Sequence, residues 1–419
     1  GVAQPTAPAS PPTATPQAVP LPVPLPTTPP AEEAPAFYDP RMHPEKMLES
    51  GMRTNEPAPA APPANAGEVP NPAFVPAAPA ATGGDASFWK SRNIKSLVTG
   101  LEVADVDADG RMELIVVTDK LVSIYQIQNG RMVKTADAAK TRQSVFISVD
   151  AADINGNGTP EIYVTSLGPN HTRVNSIVIE HNGSDFTPLS DESNWLYRVA
   201  RTPDRGVLLL GQRQRAGQNS IFTAPINEMR WEGDRLVPGQ QILPGRRANL
   251  MGLTYGDVTH SGSSVVAAYS DQDRLRLYNG GQMIWEDAER SGGDMIFFNL
   301  PKDEPGHPNR QFFPLRVRLT DIDQDGQAEV MIARHDELAN NMVKNFRSLK
   351  NARIESLEWN QLGLSPKWQT QDLSGRVSDF AVGDMDNDGV DELVIGLVAK
   401  EGRIIFTDAI SSVVAFDLK

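Results

Sequence analysis

Cysteine is absent from all 419 residues, which excludes a disulfide framework, a thiolate metal site and a cysteine nucleophile. It leaves the compartment open. Long apolar runs are missing as well, since no stretch approaches the roughly 18 residues that a membrane-spanning helix needs. Basic charge is in deficit: 39 Lys and Arg stand against 53 Asp and Glu, a formal net charge of -14. That balance argues against a phosphate-tracking, nucleic-acid-binding surface; it favours solubility and the gathering of divalent cations. Recognisable catalytic motifs are lacking too: there is no G-x-S-x-G elbow, no H-E-x-x-H and no P-loop. The six histidines (His43, His171, His181, His260, His307, His335) share no ligand spacing. The chain opens Gly1-Val2-Ala3-Gln4-Pro5, with neither an initiator Met nor the apolar stretch of a signal peptide. A processed or truncated product is the expectation.

What is present divides the chain in two. Of the 34 prolines, 22 lie before residue 85. Residues 1–84 read as an Ala/Pro-rich arm, as in Pro20-Leu21-Pro22-Val23-Pro24. Such a segment buries too little apolar area to offset its ordering entropy, so a disordered, polyproline-like tether is predicted. One island from Phe37 to Leu48, with aromatics and Met, has the composition of a short docking motif or of an ordinary bump in a spacer.

Residues 85–419 repeat themselves. Four segments share a nine-residue acidic pattern that starts at Asp105, Asp153, Asp321 and Asp384. A decayed copy begins at Asp257, and a unit without the loop fits near Thr202. These origins define six units of roughly 50–60 residues. Each has one strand grammar: an alternating run before the loop, such as Leu315–Leu319, then a continuous apolar run, such as Leu114–Val117 or Leu393–Ile395. A third strand follows, as in Val122–Tyr125 and Leu275–Tyr278, and then a more polar fourth that often carries Trp, as in Ile284–Glu286 and Lys367–Gln369. Four antiparallel strands per unit, repeated radially, predict an all-β fold, a six-bladed β-propeller; a seventh blade would need a unit the repeats do not show. Trp89 precedes Asp105 by 16 residues, as Trp368 precedes Asp384. Phe88–Ser91 therefore reads as an outer strand with no blade of its own, while the last unit ends without one. The N-terminal strand is expected to complete the last blade and remove an exposed edge.

The acidic loops have the composition of calcium sites. Calcium takes six to eight oxygens from a loop that curls around it. Positions one, three, five and nine would give side-chain oxygens and position seven its carbonyl. In the first loop these are Asp105, Asp107, Asp109, the Arg111 carbonyl and Glu113. In the second they are Asp153, Asn155, Asn157, Thr159 and Glu161, a set with two neutral ligands and weaker expected binding. The third has Asp321, Asp323, Asp325, Gln327 and Glu329, and the fourth Asp384, Asp386, Asp388, Val390 and Glu392. Glycine at position six allows the sharp turn. These are not EF-hands, because position twelve holds Val116, Val164, Ile332 and Ile395 inside strands. Hydrophilic hairpins without metal would draw on the same residue types; recurrence at equivalent repeat positions favours Ca2+ at up to four structural sites.

The acidic motif followed by an apolar strand resembles the FG-GAP/VCBS repeats of integrin-α-like propellers and bacterial envelope proteins. The resemblance covers residues 88–419, although the Phe-Gly and Gly-Ala-Pro elements that name the family are missing. It implies structural calcium, an extracytoplasmic location and a module that binds a protein partner or joins an envelope assembly, tethered by the arm. A polysaccharide-processing enzyme and a carbohydrate-binding propeller are the alternatives. With the acidic loops on one face, the longest insertions fall on the other, in the fifth unit. Long loops on a rigid scaffold are where binding concentrates. The candidate partner-binding residues are His307, Arg310, Phe312, Phe313, Lys344, Phe346 and Arg347.

Overall fold

In the computed structural model, the described residues are Gly1, 74–76, 88–202, 205–214, 222–243, 248–301, 309–337, 349–400 and 409–418. The island at Phe37–Leu48, together with His307, Lys344, Phe346 and Arg347, lies outside them. By internal contacts the chain divides into residues 1–58 and 59–419, and the propeller lies in the second unit.

Two short strands come first, β1 (Phe74–Pro76) and β2 (Trp89–Lys90). Blade one is β3 (Val98–Ala104), β4 (Glu113–Thr118), β5 (Leu121–Gln128) and β6 (Arg131–Lys140). Blade two is β7 (Val145–Ala152), β8 (Glu161–Leu167), β9 (Ile177–His181) and β10 (Phe186–Pro188). Blade three is β11 (Trp195–Thr202), β12 (Gly206–Arg213), β13 (Ile226–Glu232) and β14 (Arg235–Leu243). Blade four is β15 (Leu253–Gly256), β16 (Val265–Tyr269), β17 (Leu275–Asn279) and β18 (Gln282–Glu286). A hairpin of β19 (Gly293–Asn299) and β20 (Arg310–Pro314) then intervenes. Blade five follows as β21 (Val317–Thr320), β22 (Glu329–Glu337), β23 (Leu349–Trp359) and β24 (Leu364–Thr370), with β25 (Leu373–Ser374) beside β23. Blade six is β26 (Arg376–Gly383), β27 (Glu392–Lys400) and β28 (Ile410–Asp417).

The ring is closed as the repeat spacing predicts. Trp89 pairs with Ala415 and Lys90 with Val414, so β2 is the fourth strand of blade six. Six blades result. Ser411 strengthens the seam: its hydroxyl donates to the Ser96 carbonyl and accepts from Val98 N. One strand falls inside the predicted arm. Phe74–Pro76 pairs with the outer edge of β24 and gives blade five a fifth strand, which covers an otherwise open row of backbone groups.

Burial follows strand position. Second strands are sandwiched between neighbouring blades, so β4, β8 and β16 are buried throughout. This explains their continuous apolar sequence in place of an alternating one. Outer strands such as β6 are mostly exposed. Near the axis the inner strands crowd. A Cβ on Gly100 of β3 would lie 3.0 Å from Val149 N of β7, so only glycine lets these backbones approach.

The axis itself is filled by buried charge. Arg316, just before β21, donates to Asp379 Oδ1 at 2.6 Å, Asp150 Oδ1 at 2.8 Å and the Val149 carbonyl at 2.6 Å. Arg198 of β11 reaches Asp150 Oδ2 at 2.9 Å and the Met251 carbonyl at 2.6 Å. Arg318 pairs with Glu102 and Arg376 with Asp294 of the hairpin. Burial pushes the Asp150 carboxyl up, but the Arg198 and Arg316 guanidiniums outweigh it and hold the group below the usual carboxylate range. Four guanidiniums face four carboxylates, and blades one, two, three, five and six all contribute. Removing one partner of such a pair strands an uncompensated buried charge, at a cost of about 3–5 kcal/mol. Arg316→Met is therefore expected to lower unfolding free energy by about that amount, measured by denaturant melts. Arg318→Met, at the partly exposed end of the network, should cost clearly less.

Candidate metal centres

The acidic loops join first to second strands in blades one, two, five and six, and all four share one construction. The position-one aspartate accepts the N–H groups of positions five and six. Asp105 takes those of Asp109 and Gly110, both at 3.0 Å, and Asp384 takes those of Asp388 and Gly389, also at 3.0 Å. Asp153 and Asp321 do the same. The position-nine glutamate is buried and accepts the N–H of position two: Glu113 from Val106, Glu161 from Ile154, Glu329 from Ile322 and Glu392 from Met385. Position two is apolar because its side chain anchors the loop in the core, as Val106, Ile322 and Met385 show.

Backbone conformation repeats as well. Position six has φ of 85–92° at Gly110, Gly158, Gly326 and Gly389, a region that suits glycine. Position four is also left-handed, at Ala108, Gly156, Gln324 and Asn387. The decayed loop keeps the frame: His260 and Gly262 are left-handed, and Asp257 accepts from Ser261 N and Gly262 N. It has lost the carboxylates of positions three, five and nine, where Thr259, Ser261 and Val265 stand, but not the turn.

The carboxylates converge unequally. In blade six, oxygens of Asp384, Asp386, Asp388 and Glu392 all lie within 4.8 Å of one another. Asp105, Asp107 and Glu113 do so in blade one, and Asp321, Asp323 and Asp325 in blade five. Burial drives the Glu113 carboxyl up to about 7 and that of Glu392 to about 8, with the neighbouring aspartates adding repulsion. Hard oxygen donors crowded in this way suit calcium, and the blade-one and blade-six sets fit such an ion. The position-seven residues Arg111, Thr159, Gln327 and Val390 each donate their N–H to the side chain of position five.

Two features escape sequence reading, because strand pairing alone brings them to the loops. The third-strand residue opposite each position-nine glutamate faces the acidic cluster: Gln126, Glu180, Glu358 and Asp417. Gln126 donates to Glu113 at 3.1 Å. Glu180 accepts from the amides of Asn155 and Asn157 at 2.9 and 3.1 Å, which brings a third carboxylate to the loop that has only two of its own. The second feature is Lys367 of β24, whose ammonium lies against Asp323, Asp325 and Glu329 of the blade-five loop. The loops also grip one another around the ring. Asn387 exchanges hydrogen bonds with the backbone of Met112 at 2.6 and 3.0 Å, and His260 Nε2 lies 3.1 Å from the Ala328 carbonyl. In both cases a position-four side chain reaches position eight of the next blade.

On the opposite face, the β19–β20 hairpin turns inward over the axis. His171 and Asn299 tie it to the blade-two loop at Asn170, and Phe313 is buried against Phe222. Phe313 is thus a core residue and not a surface contact as the sequence reading has it. It closes the interior because its strand packs on the axis. Among the candidate partner-binding residues that are described, Arg310 is exposed and stacks over Phe297 at 4.2 Å, and Phe312 is half-buried beside the same ring.

Residues 105–164, the span from the first acidic loop through the second, match the family described as FG-GAP-like repeat. The chain is a six-bladed β-propeller that carries an FG-GAP-like repeat over this span. No curated protein is significantly similar to it in sequence. Among solved structures, the propeller resembles BBS1N in its complex with ARL6DN, at 10% identity and a TM-score of 0.41, covering 78% of this chain and 96% of that one. A PQQ-bound aldose sugar dehydrogenase from Streptomyces coelicolor is similar at 11% identity and a TM-score of 0.38, over 78% and 98%. The SapL1 lectin in complex with alpha methyl fucoside is similar at 8% identity and a TM-score of 0.38, over 72% and 90%. At such distances none of them bears on what this propeller binds.

The raised glutamates predict a pH slope. Burial in the fold makes Glu113 and Glu392 hold protons more tightly than an ordinary glutamate, so the folded chain binds more protons than the unfolded one up to about pH 8. Stability of the ion-free protein should fall as pH rises through that window, because the unfolded state then binds fewer protons. Denaturant melts in EDTA between pH 5 and 8 check this, with Glu113→Gln/Glu392→Gln expected to flatten the profile.

Proposed function

We propose that the protein is a calcium-stabilised, extracytoplasmic propeller that serves as a protein-binding or scaffolding module of an envelope or extracellular assembly, with the Pro/Ala-rich segment as its tether. The observation that carries this reading is the repetition of one loop architecture whose carboxylates converge in blades one and six, on both sides of the seam that closes the ring. Calcium held there would neutralise clustered charge and cross-link first to second strands. Asp105, Asp107, Asp109 and Glu113 would hold it in blade one, and Asp384, Asp386, Asp388 and Glu392 in blade six. The Asn387–Met112 contact would then couple the two loops mechanically.

A platform role suits the interior better than a catalytic one. The axis is occupied by ion pairs whose charges balance, and the hairpin lies over it. Outside the cell, calcium reaches about 10⁻⁴–10⁻³ M, the range in which open extracellular loops bind it; that supports an extracytoplasmic site of action. The exposed face around Arg310 and Phe312 is the proposed contact surface for a protein partner.

Calcium at a hundredfold above its dissociation constant should add about 2.7 kcal/mol for each occupied site. Thermal melts in calcium and in EDTA measure it directly. Superimposed curves would remove the calcium reading. For the contact surface, affinity capture with Arg310→Ala/Phe312→Ala is expected to lose partners that the unaltered propeller retains; undiminished recovery would place the contact elsewhere.

A further inference from the structure

The blade-five loop already contains a cation. Lys367 Nζ lies 2.8 Å from Asp323 Oδ2, 3.0 Å from Asp325 Oδ2 and 2.9 Å from Glu329 Oε1, with Glu358 Oε1 at 3.7 Å. An ammonium has three donors, and here three carboxylate oxygens meet them at hydrogen-bond distance. The side chain is 18% exposed, so the contact is a partly buried one and not a loose surface pair.

The strand register explains how the lysine gets there. Ser356 pairs with Trp368 and Leu357 with Pro366, which leaves Lys367 without a cross-strand partner. Such a bulge re-aims a side chain out of the regular alternation. Blade one has its own bulge in the same place: Ile124 pairs with Ala136 and Tyr125 with Lys134, and the unpaired residue is Thr135. Its hydroxyl bonds the Ile124 carbonyl. In blade six the outer strand β2 pairs with β28 with no bulge. Among the described residues, no lysine or arginine pairs with a carboxylate of the blade-one or blade-six loop.

We propose that Lys367 is a tethered stand-in for the divalent ion, so that the blade-five loop closes without calcium while its counterparts in blades one and six require it. The inference rests on the calcium reading of those two loops. At blade five the residues do not fit a vacant calcium site, since an incoming ion would have to break three charge-assisted hydrogen bonds and expel an ammonium held at high local concentration by its own strand. Calcium dependence is then distributed unevenly around the ring. It concentrates at the closure seam and leaves blade five, where the long insertions attach, closed at any calcium level.

Calcium stoichiometry on the full chain, by isothermal titration calorimetry, tests this with three single variants. Asp384→Asn is expected to lose one bound calcium, Asp325→Asn to lose none, and Lys367→Met to gain one. The gained site should vanish when Asp325→Asn is added to Lys367→Met. In EDTA, Lys367→Met should melt several degrees below the unaltered protein, and saturating calcium should restore it. Loss of one site in Asp325→Asn alone, a measurement that does not depend on how Lys367→Met folds, overturns the proposal. If Asp384→Asn loses no site, the calcium reading of the loops fails separately. The lysine's role is then read from the EDTA melts, where an unchanged melting temperature for Lys367→Met overturns it.

Discussion

Six wedge-shaped sheets meeting at one axis bring their inner strands so close that whatever lines those strands must be mutually compatible. Here the lining is ionic. Arg316 bridges Asp150 of blade two and Asp379 of blade six, while Arg198 of blade three shares Asp150. Desolvating these groups is expensive, and a buried ion pair is weak evidence for stability by itself. Its value lies in specificity: each guanidinium finds its partners only when the blades stand in the right order and register.

The other face of the same problem is charge left over at the periphery. Each acidic loop concentrates carboxylates at the hinge between first and second strands, and three distinct counter-charge arrangements are visible. Blades one and six leave converged oxygens suited to a divalent ion. Blade two substitutes asparagine amides, which donate to Glu180. Blade five draws in an ammonium from its own outer strand. The decayed loop of blade four removes the excess charge and keeps the turn, with Asp257 still capping Ser261 and Gly262. One backbone frame therefore survives four different electrostatic solutions, because the frame is set by the position-one aspartate, the left-handed residues at positions four and six, and an apolar anchor at position two.

The insertions of the fifth unit show how a scaffold turns a loop inward. The hairpin between blades four and five contributes Phe298 and Phe313 to the core and Asp294 to the axial network. Among its described residues, Arg310 is exposed and lies over the ring of Phe297. Rigid presentation of a few such side chains lowers the ordering cost of binding a partner.

Much of this was legible without coordinates, for a physical reason. Blade number, strand order within a blade and the closing role of Trp89 follow from local pattern and repeat spacing, since each blade is one supersecondary unit read in chain order. The capping pattern of the loops is local too, within nine residues. What the tertiary structure alone decided are the relations between residues distant in sequence. The partnership of Arg316 with Asp150, the placement of Glu180 and Asp417 opposite the position-nine glutamates, and the bulge that swings Lys367 into the acidic loop depend on strand register and blade-to-blade contact. Phe313 reads as a surface aromatic in a loop until the hairpin is seen to fold over the axis. Periodicity records which face of a strand is buried; it carries no information about which charged group a neighbouring strand will deliver there.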